Sequence, residues 1–377
     1  MIKLHLPLAF ILVFFNLVAC QSSSLNTTDI EEEEEQNIPF YYGADLSYLN
    51  EMIDCGAIYK NENGIAKNPY QIFAEAGTNL VRVRLWHTPN WTTYSNLDDV
   101  KKTITKAKAH NMKVLLDFHY SDTWADPSKQ QIPLAWSSNI DNTPILGNLL
   151  YQYTFNTLTN LSRSNLLPDM VQVGNEINIM ILQDEASVTA MNWTRNAFLI
   201  NQGIRAVRDF SNDIEIMLHI AQPENALWWF KEAVNNGITD FDWIGLSYYP
   251  IWSEYKLNTV LEPLRTLKNT YNKKLMAVET AYPYTLDNAD SANNILNSNA
   301  LIEGYPATQQ GQLSYLNSLC NIIKQAGGEG LIYWEPAWVS TPCYTLWGQG
   351  SHWDNATLFD HNNQATLGMS FYNKAKK

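Results

Sequence analysis

Short apolar runs alternate along the chain with longer stretches whose apolar residues recur at helical spacing. The runs predict eight strands, at 41–45, 79–85, 112–118, 170–173, 214–220, 241–247, 275–279 and 330–333. The longer stretches predict helices at 69–76, 97–110, 145–162, 188–210, 223–235, 257–271, 308–325 and 364–375. Alternation of strand and helix is typical of parallel α/β folds, and eight repeats favour a closed barrel. We therefore predict a single (β/α)8 TIM barrel over residues 39–377.

Carboxylates close two of the predicted strands. The run Met170–Val173 is followed by Gly174, Asn175 and Glu176, and residues 275–278 lead directly into Glu279. A charge at the end of a buried strand is costly unless it is paired or used. Catalytic groups of (β/α)8 barrels lie at the carboxyl ends of the strands. The pair is therefore predicted to be an acid/base pair, the alternative being two glutamates in unrelated salt bridges.

Other polar and aromatic residues share this position, and the loops after strands three, seven and eight are unusually long for a barrel. The full set of residues at predicted strand ends is Asp45, Arg84, Trp86, His119, Asn175, Glu176, Tyr248, Glu279 and Trp334. Retaining glycosidases need these types: two carboxyls, an arginine that keeps the nucleophile ionised, an asparagine for the sugar 2-hydroxyl and a tryptophan floor. The structural alternatives are that Arg84 pairs with a core carboxylate, that His119 is a core histidine, and that Tyr248, Tyr249 and Trp252 are packing aromatics. Their common position favours function.

Charge and composition narrow the class of ligand. The formal net charge is −13, which argues against nucleic acid and fits acidic polysaccharide poorly. The 13 Trp and 20 Tyr fit a neutral ligand such as a sugar chain better.

The N-terminus has the pattern of a bacterial lipoprotein signal. Lys3 precedes an apolar segment from Leu8 to Val18 that is too short for a good membrane span. The end of this segment, L-V-A-C, resembles a lipobox with Cys20 as the lipidated residue; the alternative is an ordinary secretory signal. Residues 21–38, with the run Glu31 to Glu35, are predicted to be a disordered acidic tether. We expect an exported outer-membrane lipoprotein at the cell surface, bound to the membrane only through that lipid, and a monomer.

Three cysteines remain after Cys20: Cys55, Cys320 and Cys343. Their spacing matches no zinc motif. The sequence leaves two alternatives open, three unpaired cysteines or one disulfide.

Seven segments carry a resemblance to glycoside hydrolase family 53, the endo-β-1,4-galactanases. They are G-A-D-L-S at 43–47, V-R-V-R-L-W at 81–86, D-F-H-Y-S-D-T-W-A-D-P at 117–127, V-G-N-E-I at 173–177, I-G-L-S-Y-Y-P-I-W at 244–252, V-E-T-A-Y-P at 278–283 and Y-W-E-P-A-W at 333–338. They occur in family order and cover nearly the whole chain after residue 39. N-E alone is shared by a large clan, whereas the H-Y-S-D-T-W-A-D-P and Y-W-E-P-A-W segments are much narrower signals.

The resemblance implies a retaining enzyme that cleaves β-1,4-galactan internally, with Glu176 as acid/base and Glu279 as nucleophile. It makes Asp122 a candidate substrate contact. It also makes six tryptophans candidate sugar platforms: Trp86, Trp124, Trp136, Trp252, Trp347 and Trp353. Trp86 and Trp252 are the better placed of the six. No cofactor is expected. Some bacterial members hold calcium in the loop after strand eight, but here residues 339–355 contain only Asp354 as an acidic residue, which is a poor match to calcium.

Two other functions remain open at this point. One is a retaining endo-glucanase or mannanase of the same clan, because the orientation of the sugar O4 is decided by pocket shape. The other is a surface glycan-binding protein built on a catalytically dead barrel. The presence of both glutamates together with Arg84 and Asn175 argues against the second.

Overall fold

The fold is a closed barrel of eight parallel strands in the order of the sequence, seen in a computed structural model that describes Met1, residues 40–184 and residues 190–376. Pro39–Lys377 form one compact unit. The predicted lipobox and the whole of the predicted tether, residues 21–38, lie outside the described residues. Within the described part of the chain, the helices are all too short or too polar to cross a bilayer.

The strands are separated by helices throughout. In chain order the strands are β1 Tyr41–Asp45, β2 Leu80–Leu85, β3 Lys113–Phe118, β4 Met170–Val173, β5 Glu215–Ala221, β6 Trp243–Ser247, β7 Lys274–Glu279 and β8 Gly330–Tyr333. The α-helices are α1 Leu49–Asp54, α2 Pro69–Ala76, α3 Leu97–Ala109, α4 Thr143–Arg163, α5 Trp193–Phe210, α6 Pro223–Asn235, α7 Leu261–Tyr271 and α8 Gln309–Gln325. Short 3₁₀ segments lie at Leu134–Asn139, Ser298–Ala300, Asp354–Ala356 and Leu367–Lys376. The predicted barrel is confirmed.

Capping residues explain several helix boundaries. The side chains of Asn68, Asn96 and Asn142 accept hydrogen bonds from backbone N–H groups in the first turns of α2, α3 and α4. Gly77 ends α2 at a φ of 115°, a left-handed conformation that glycine adopts without strain.

Some predicted helices differ from the observed ones. Helix α1, which has only six residues, is not among the predicted helices. The helix predicted from 188 begins at Trp193, where Asn192 caps it; residues 185–189 lie outside the described residues. The segment predicted as the last helix is a 3₁₀ helix over Leu367–Lys376.

Alternate residues of each strand face the barrel interior, which is apolar at the bottom and charged above. The bottom layer is a separate apolar cluster, Leu80, Leu115, Met170, Met217, Trp243, Met276, Val278 and Ile332. Two residues further along the strands the interior holds Arg82, Asp117, Gln172 and His219, all buried. A register shift between β6 and β7 pairs Ser247 with Glu279. The strand sequences therefore stack a charged layer directly beneath the mouth of the barrel.

One disulfide joins the two ends of the barrel chain. Cys55, which follows α1, is bonded to Cys343, which precedes a small hairpin formed by β9 Tyr344–Thr345 and β10 Gly348–Gln349. Cys320 lies buried in α8 and is not part of a disulfide. Of the two alternatives left by the sequence, the structure has the single disulfide.

We predict that Cys343→Ser lowers the free energy of unfolding by about 2–4 kcal/mol, because the bridge closes a loop across 288 positions of sequence and restricts the unfolded chain. Urea unfolding of the variant and of the wild type, each with and without reductant, measures this. Reductant should bring the wild type down to the variant and leave the variant unchanged. Equal stability of the oxidised wild type and the variant would contradict the prediction.

Candidate active site

A cleft of about 840 Å³ opens at the carboxyl ends of the strands. It is deep enough to reach the charged layer of the barrel, and residues that lie on or just after each of the eight strands line it. The polar residues that line it include Asp45, Arg82, Arg84, Asp117, His119, Asp126, Asn175, Glu176, Gln222, Asn225 and Glu279. The cleft lies where the sequence predicts function.

The two predicted glutamates face each other in this cleft. One carboxylate oxygen of Glu176, one of Glu279 and a ring nitrogen of His219 all lie within 4.8 Å of one another. Retaining glycosidases have carboxyl groups about 5–5.5 Å apart, whereas inverting enzymes need about 6.5–9.5 Å to admit a water. Glu279 is 6% exposed, and Glu176 sits at a φ of 44°, in the left-handed region, just beyond β4. The separation fits a nucleophile and an acid/base.

Arg82 is the cation beside the nucleophile. Its Nη1 lies 2.7 Å from Oε1 of Glu279 and donates to Asp45 at 2.8 Å. Its Nη2 donates to Asp117 at 2.9 Å and to Oδ1 of Asn175 at 2.7 Å. Although burial opposes it, the carboxylates of Asp117, Glu279 and Asp45 raise the pKa of Arg82, so the guanidinium stays charged.

The prediction that Arg84 keeps the nucleophile ionised is wrong. Arg84 lies one pleat higher and pairs with Glu335 at 3.3 Å. Its guanidinium lies against the rings of Trp124 and Trp86, 4.0 and 4.5 Å from their centroids. It still lines the cleft, and it supports Trp124. Because side chains two apart on a strand share a face, the sequence could not tell which arginine meets Glu279.

The charges around the two glutamates set different proton affinities. Burial, and then the negative charge of Glu279, raise the pKa of Glu176 well above its usual range. Burial also raises the pKa of Glu279, but the Arg82 guanidinium opposes this shift. Glu279 therefore loses its proton first and Glu176 retains one, which is the starting state of a retaining glycosidase.

His119 and Asn175 are fixed by hydrogen bonds at the edge of the cleft. Nε2 of His119 lies 3.1 Å from Asp117, and its Nδ1 accepts from the backbone N–H of Ala125 at 3.1 Å. Burial lowers the pKa of His119, so the ring is neutral. The Nδ2 group of Asn175 donates to the carbonyl oxygen of Ala125 at 2.8 Å. Both residues line the cleft, as predicted.

The aromatic lining agrees with the sequence in part. Trp252 and Trp347 are 49% and 53% exposed, and both line the cleft. The remaining aromatic lining residues are Trp124, Tyr249, Trp334, Trp338 and Trp353.

Trp86 and Trp136 are not sugar platforms, and Tyr248 is not a substrate contact, contrary to the predictions. Trp86 is 1% exposed and packs on Trp91, Trp124 and His119, to which its Nε1 donates at 3.3 Å. Trp136 packs on His87 and Tyr153. The hydroxyl of Tyr248 donates to the carbonyl oxygen of Tyr255, and Tyr248 does not line the cleft. A bulky aromatic at a strand end can equally fill the space behind the cleft wall.

Asp122 organises loops and does not line the cleft. Its carboxylate accepts the backbone N–H groups of Thr88 and Leu134, at 2.9 and 2.8 Å, and lies 3.4 Å from His87. The predicted role as a substrate contact is therefore wrong; Asp122 fastens the loop after β2 to the loop after β3.

The described residues offer one group of three metal-type ligands, Glu176, His219 and Glu279, and these are occupied by protein partners. Arg82 is paired with Glu279, and Ser247 lies 2.5 Å from Glu176 and 2.9 Å from Nε2 of His219. A bound cation would have to replace a guanidinium, so the group does not fit a metal.

The loop after β8 has the same difficulty for calcium. The two oxygens of Asp354 accept from Nδ2 of Asn294 and from the backbone N–H of Ala289. Asp354 thereby fastens this loop to the loop after β7. The described residues around Asp354 do not form the group of several carboxylates that a calcium site usually has.

Several residues of the site were missed from the sequence, and four of them contact the predicted site residues or take over their roles. Arg82 carries the role assigned to Arg84. Tyr249, with its hydroxyl 3.5 Å from Oε2 of Glu279, stands where Tyr248 was expected. Glu335 is buried and accepts from Arg84 and from the backbone N–H of Tyr48, and Ser247 contacts the acid. Glu335 and Ser247 follow the strand-end rule and could have been found by it; the choice between adjacent tyrosines could not.

We predict opposite effects of two tryptophan truncations. Trp252→Ala should weaken the binding of galactan, the substrate that the resemblance implies, by about 1–2 kcal/mol with little loss of melting temperature, because an exposed stacking face is removed. Trp86→Ala should destabilise the fold by about 3–5 kcal/mol, because it empties a packed site. Affinity electrophoresis in galactan and thermal unfolding measure the two quantities for both variants. A stability loss at Trp252 as large as that at Trp86 would contradict the assignment.

Similarity to known proteins agrees with this geometry. Residues 41–372 match the family Glycosyl hydrolase family 53. The chain is 57% identical over 330 residues to an arabinogalactan endo-β-1,4-galactanase of Cellvibrio japonicus, covering 86% of this chain and 87% of that protein. It is 35% identical to an endo-β-1,4-galactanase of Bacillus subtilis, over 82% of this chain and 73% of that one.

Among solved structures, the catalytic domain of a family 53 glycoside hydrolase from Ignisphaera aggregans superposes with a TM-score of 0.83. The two sequences are 34% identical, and the match covers 90% of this chain and 97% of that one. The barrel, the carboxyl pair and these similarities lead to one conclusion: the chain belongs to glycoside hydrolase family 53.

Proposed function

We propose that this protein is an endo-β-1,4-galactanase, which cleaves β-1,4-galactosidic bonds within galactan and type I arabinogalactan and retains the anomeric configuration. The carboxyl pair, with oxygens within 4.8 Å of each other, is the observation that carries the reaction type. The substrate rests on the relatives, which include galactanases at 57% and 35% identity.

In the first step, Glu279 attacks the anomeric carbon while Glu176 gives its proton to the departing glycosidic oxygen. Arg82 lowers the energy of the ionised nucleophile, and Tyr249 lies beside its second oxygen. One hydrogen of the Asn175 amide is taken by the Ala125 carbonyl; we assign the other to the sugar 2-hydroxyl. Trp334, which lines the cleft, gives the ring an apolar surface.

In the second step, Glu176 acts as a base. The ester formed on Glu279 is uncharged, so the repulsion that raised the pKa of Glu176 is removed. Glu176 then takes a proton from water, which attacks the anomeric carbon from the side that the leaving group vacated. Two inversions give net retention.

The alternatives differ in substrate or in having no reaction at all. A glucanase or mannanase of the same clan would use the same two carboxyls, and a glycan-binding barrel would need neither the close carboxyl pair nor the buried arginine. Reducing-end release from galactan, glucan and mannan, assayed side by side, separates all three. Galactan alone should be cleaved, and equal rates on glucan or mannan would contradict the substrate assignment.

We predict that the two glutamate variants differ in what restores activity. Glu279→Ala should be inactive on every substrate, because no glycosyl-enzyme can form. Glu176→Ala should lose most activity on galactan, since the sugar leaving group needs a proton, but much less in the first step with an activated aryl galactoside. Azide should rescue Glu176→Ala and yield a β-galactosyl azide, identified by NMR. An α-azide, or rescue of Glu279→Ala with a β product, would overturn the assignment.

The lipid anchor is a separate proposal, supported by the L-V-A-C segment and the acidic stretch after it. Cys20→Ala expressed in a Gram-negative host should move the protein from the membrane fraction to the soluble fraction, as measured by immunoblot after fractionation. Galactanase activity of the released protein should be unchanged. Continued membrane association of the variant would reject lipidation at Cys20.

A further inference from the structure

A short chain of hydrogen bonds leads from the acid/base carboxyl into the barrel. Oε1 of Glu176 lies 2.5 Å from Oγ of Ser247, the last residue of β6. Oγ of Ser247 lies 2.9 Å from Nε2 of His219 on β5. Nδ1 of His219 lies 2.9 Å from Oδ1 of Asn175. Ser247 and His219 are fully buried, and the reaction steps above use neither.

The orientation of the Asn175 amide fixes the far end of this chain. Its Oδ1 receives a hydrogen bond from Arg82, which can only donate, and its Nδ2 donates to the Ala125 carbonyl, which can only accept. A flipped amide would lose both bonds. Oδ1 of Asn175 therefore faces His219 as an acceptor, and an acceptor 2.9 Å from Nδ1 requires a hydrogen on Nδ1.

A neutral imidazole has one N–H, so the other nitrogen must accept. Burial and then the charge of Arg82 lower the pKa of His219 well below its usual value, and the ring is neutral. With the hydrogen on Nδ1, Nε2 carries a lone pair and accepts a hydrogen bond from the hydroxyl of Ser247. Ser247 has no second hydrogen, so it meets Glu176 as an acceptor, and the short contact to Oε1 needs the proton of Glu176.

Two other contacts of Nδ1 would favour the opposite tautomer. Nε2 of Gln172 lies 3.1 Å away and the backbone N–H of Glu176 lies 3.3 Å away. Both are longer than the 2.9 Å contact with Asn175. Gln172 also has a closer acceptor in Asp117, at 2.6 Å. The opposite tautomer would moreover leave two acceptors facing each other across 2.9 Å, so we give the hydrogen to Nδ1.

We propose that Ser247 and His219 are positioning residues that keep the acid/base protonated in the free enzyme. All bonds of the chain point away from Glu176: its carboxyl donates to Ser247, Ser247 donates to His219, and His219 donates to Asn175. Rotation of the carboxyl about its Cγ–Cδ bond then presents the proton to the glycosidic oxygen. This inference rests on the proposed retaining reaction.

The same chain affects the second step. When Glu176 is a carboxylate, the single hydroxyl hydrogen of Ser247 can serve Glu176 or Nε2 of His219, but not both. One of the two short contacts then joins two acceptors, which favours return of a proton to Glu176. The carboxylate is thereby a stronger base toward the attacking water.

The charged and titratable groups around this chain come from several elements, and the test leaves them in place. They are Asp45 on β1, Arg82 on β2, Asp117 on β3, His119 and Asp126 after β3, Tyr249 after β6 and Glu279 on β7.

The first test is the tautomer of His219 in the free enzyme. ¹⁵N NMR of histidine-labelled protein distinguishes a protonated from an unprotonated ring nitrogen, and the signals that vanish in His219→Gln assign the ring. We expect hydrogen on Nδ1 and a bare Nε2 near neutral pH. A hydrogen on Nε2 would overturn the proposal, and this result does not depend on which polysaccharide the enzyme cleaves.

The second test is the basic limb of the pH profile of kcat/KM on galactan, which reports the free enzyme. In Ser247→Ala the protonated carboxyl loses its acceptor, so its pKa falls and the limb moves to lower pH, by about half to one pH unit. If Ser247 instead donated to the carboxylate, its removal would move the limb to higher pH. An upward shift, or none, would therefore reject the proposal.

Two further variants separate positioning from general damage. Ser247→Thr keeps the hydroxyl and should keep the wild-type limb. Thr154→Val removes a buried hydroxyl of α4 that contacts Tyr120, away from the cleft, and should lower stability without moving the limb. If the wild type cleaves no galactan, the proposed function fails while the NMR result still stands. If it cleaves galactan but the Ser247→Ala limb rises, only this inference fails.

Discussion

Arg82 is the residue on which the site depends. Four side chains from four different parts of the barrel accept hydrogen bonds from, or pair with, its guanidinium: Asp45, Asp117, Asn175 and Glu279. A fifth, Gln172, accepts from its Nε at 3.1 Å. A buried cation without partners would be very unfavourable, and three buried carboxylates without the cation would be equally so. The interior charges therefore hold each other in place, and the nucleophile is one member of that arrangement.

This arrangement also explains why the two carboxyl groups take different roles although they stand so close. Arg82 contacts Glu279 directly, whereas it is linked to the carboxyl of Glu176 through Asn175, His219 and then Ser247. The direct contact favours the ionised form of Glu279, and the chain of hydrogen bonds orients the polar groups next to the carboxyl of Glu176. The Arg82 side chain thus gives the two glutamates different electrostatic surroundings. The apolar bottom layer of the barrel, with residues such as Leu80 and Met276, excludes water that would screen these charges.

The architecture was predictable because strand and helix patterns are local and repeated eight times. The bounds of β1, β4, β8 and α6 follow directly from apolar runs and from Pro223 at the start of a helix. The two glutamates were predictable because burying a carboxylate at the end of an apolar strand is unfavourable unless a partner or a reaction uses its charge.

The finer assignments fail where two residues satisfy the same local rule. Arg82 and Arg84 share one face of β2, and only the layer of the barrel that each reaches decides which contacts Glu279. Tyr248 and Tyr249 are neighbours whose directions depend on how the chain leaves β6. Trp86 and Trp252 both follow a strand in the sequence, yet Trp86 is buried behind the cleft wall and Trp252 faces solvent. The cysteine pairing depends on contacts between distant loops. These features belong to the assembled barrel rather than to any segment.

The bridge between Cys55 and Cys343 encloses seven of the eight strands in one covalent ring. A protease that cuts once in any loop within that ring opens the backbone but releases no fragment, because the two halves stay joined through the sulfur atoms. The nicked molecule keeps every strand within reach of its neighbours, and its site residues remain tethered at high local concentration. The bridge thus gives an enzyme with long, exposed loops tolerance to single cleavage, independently of anything it adds to the stability of the intact chain.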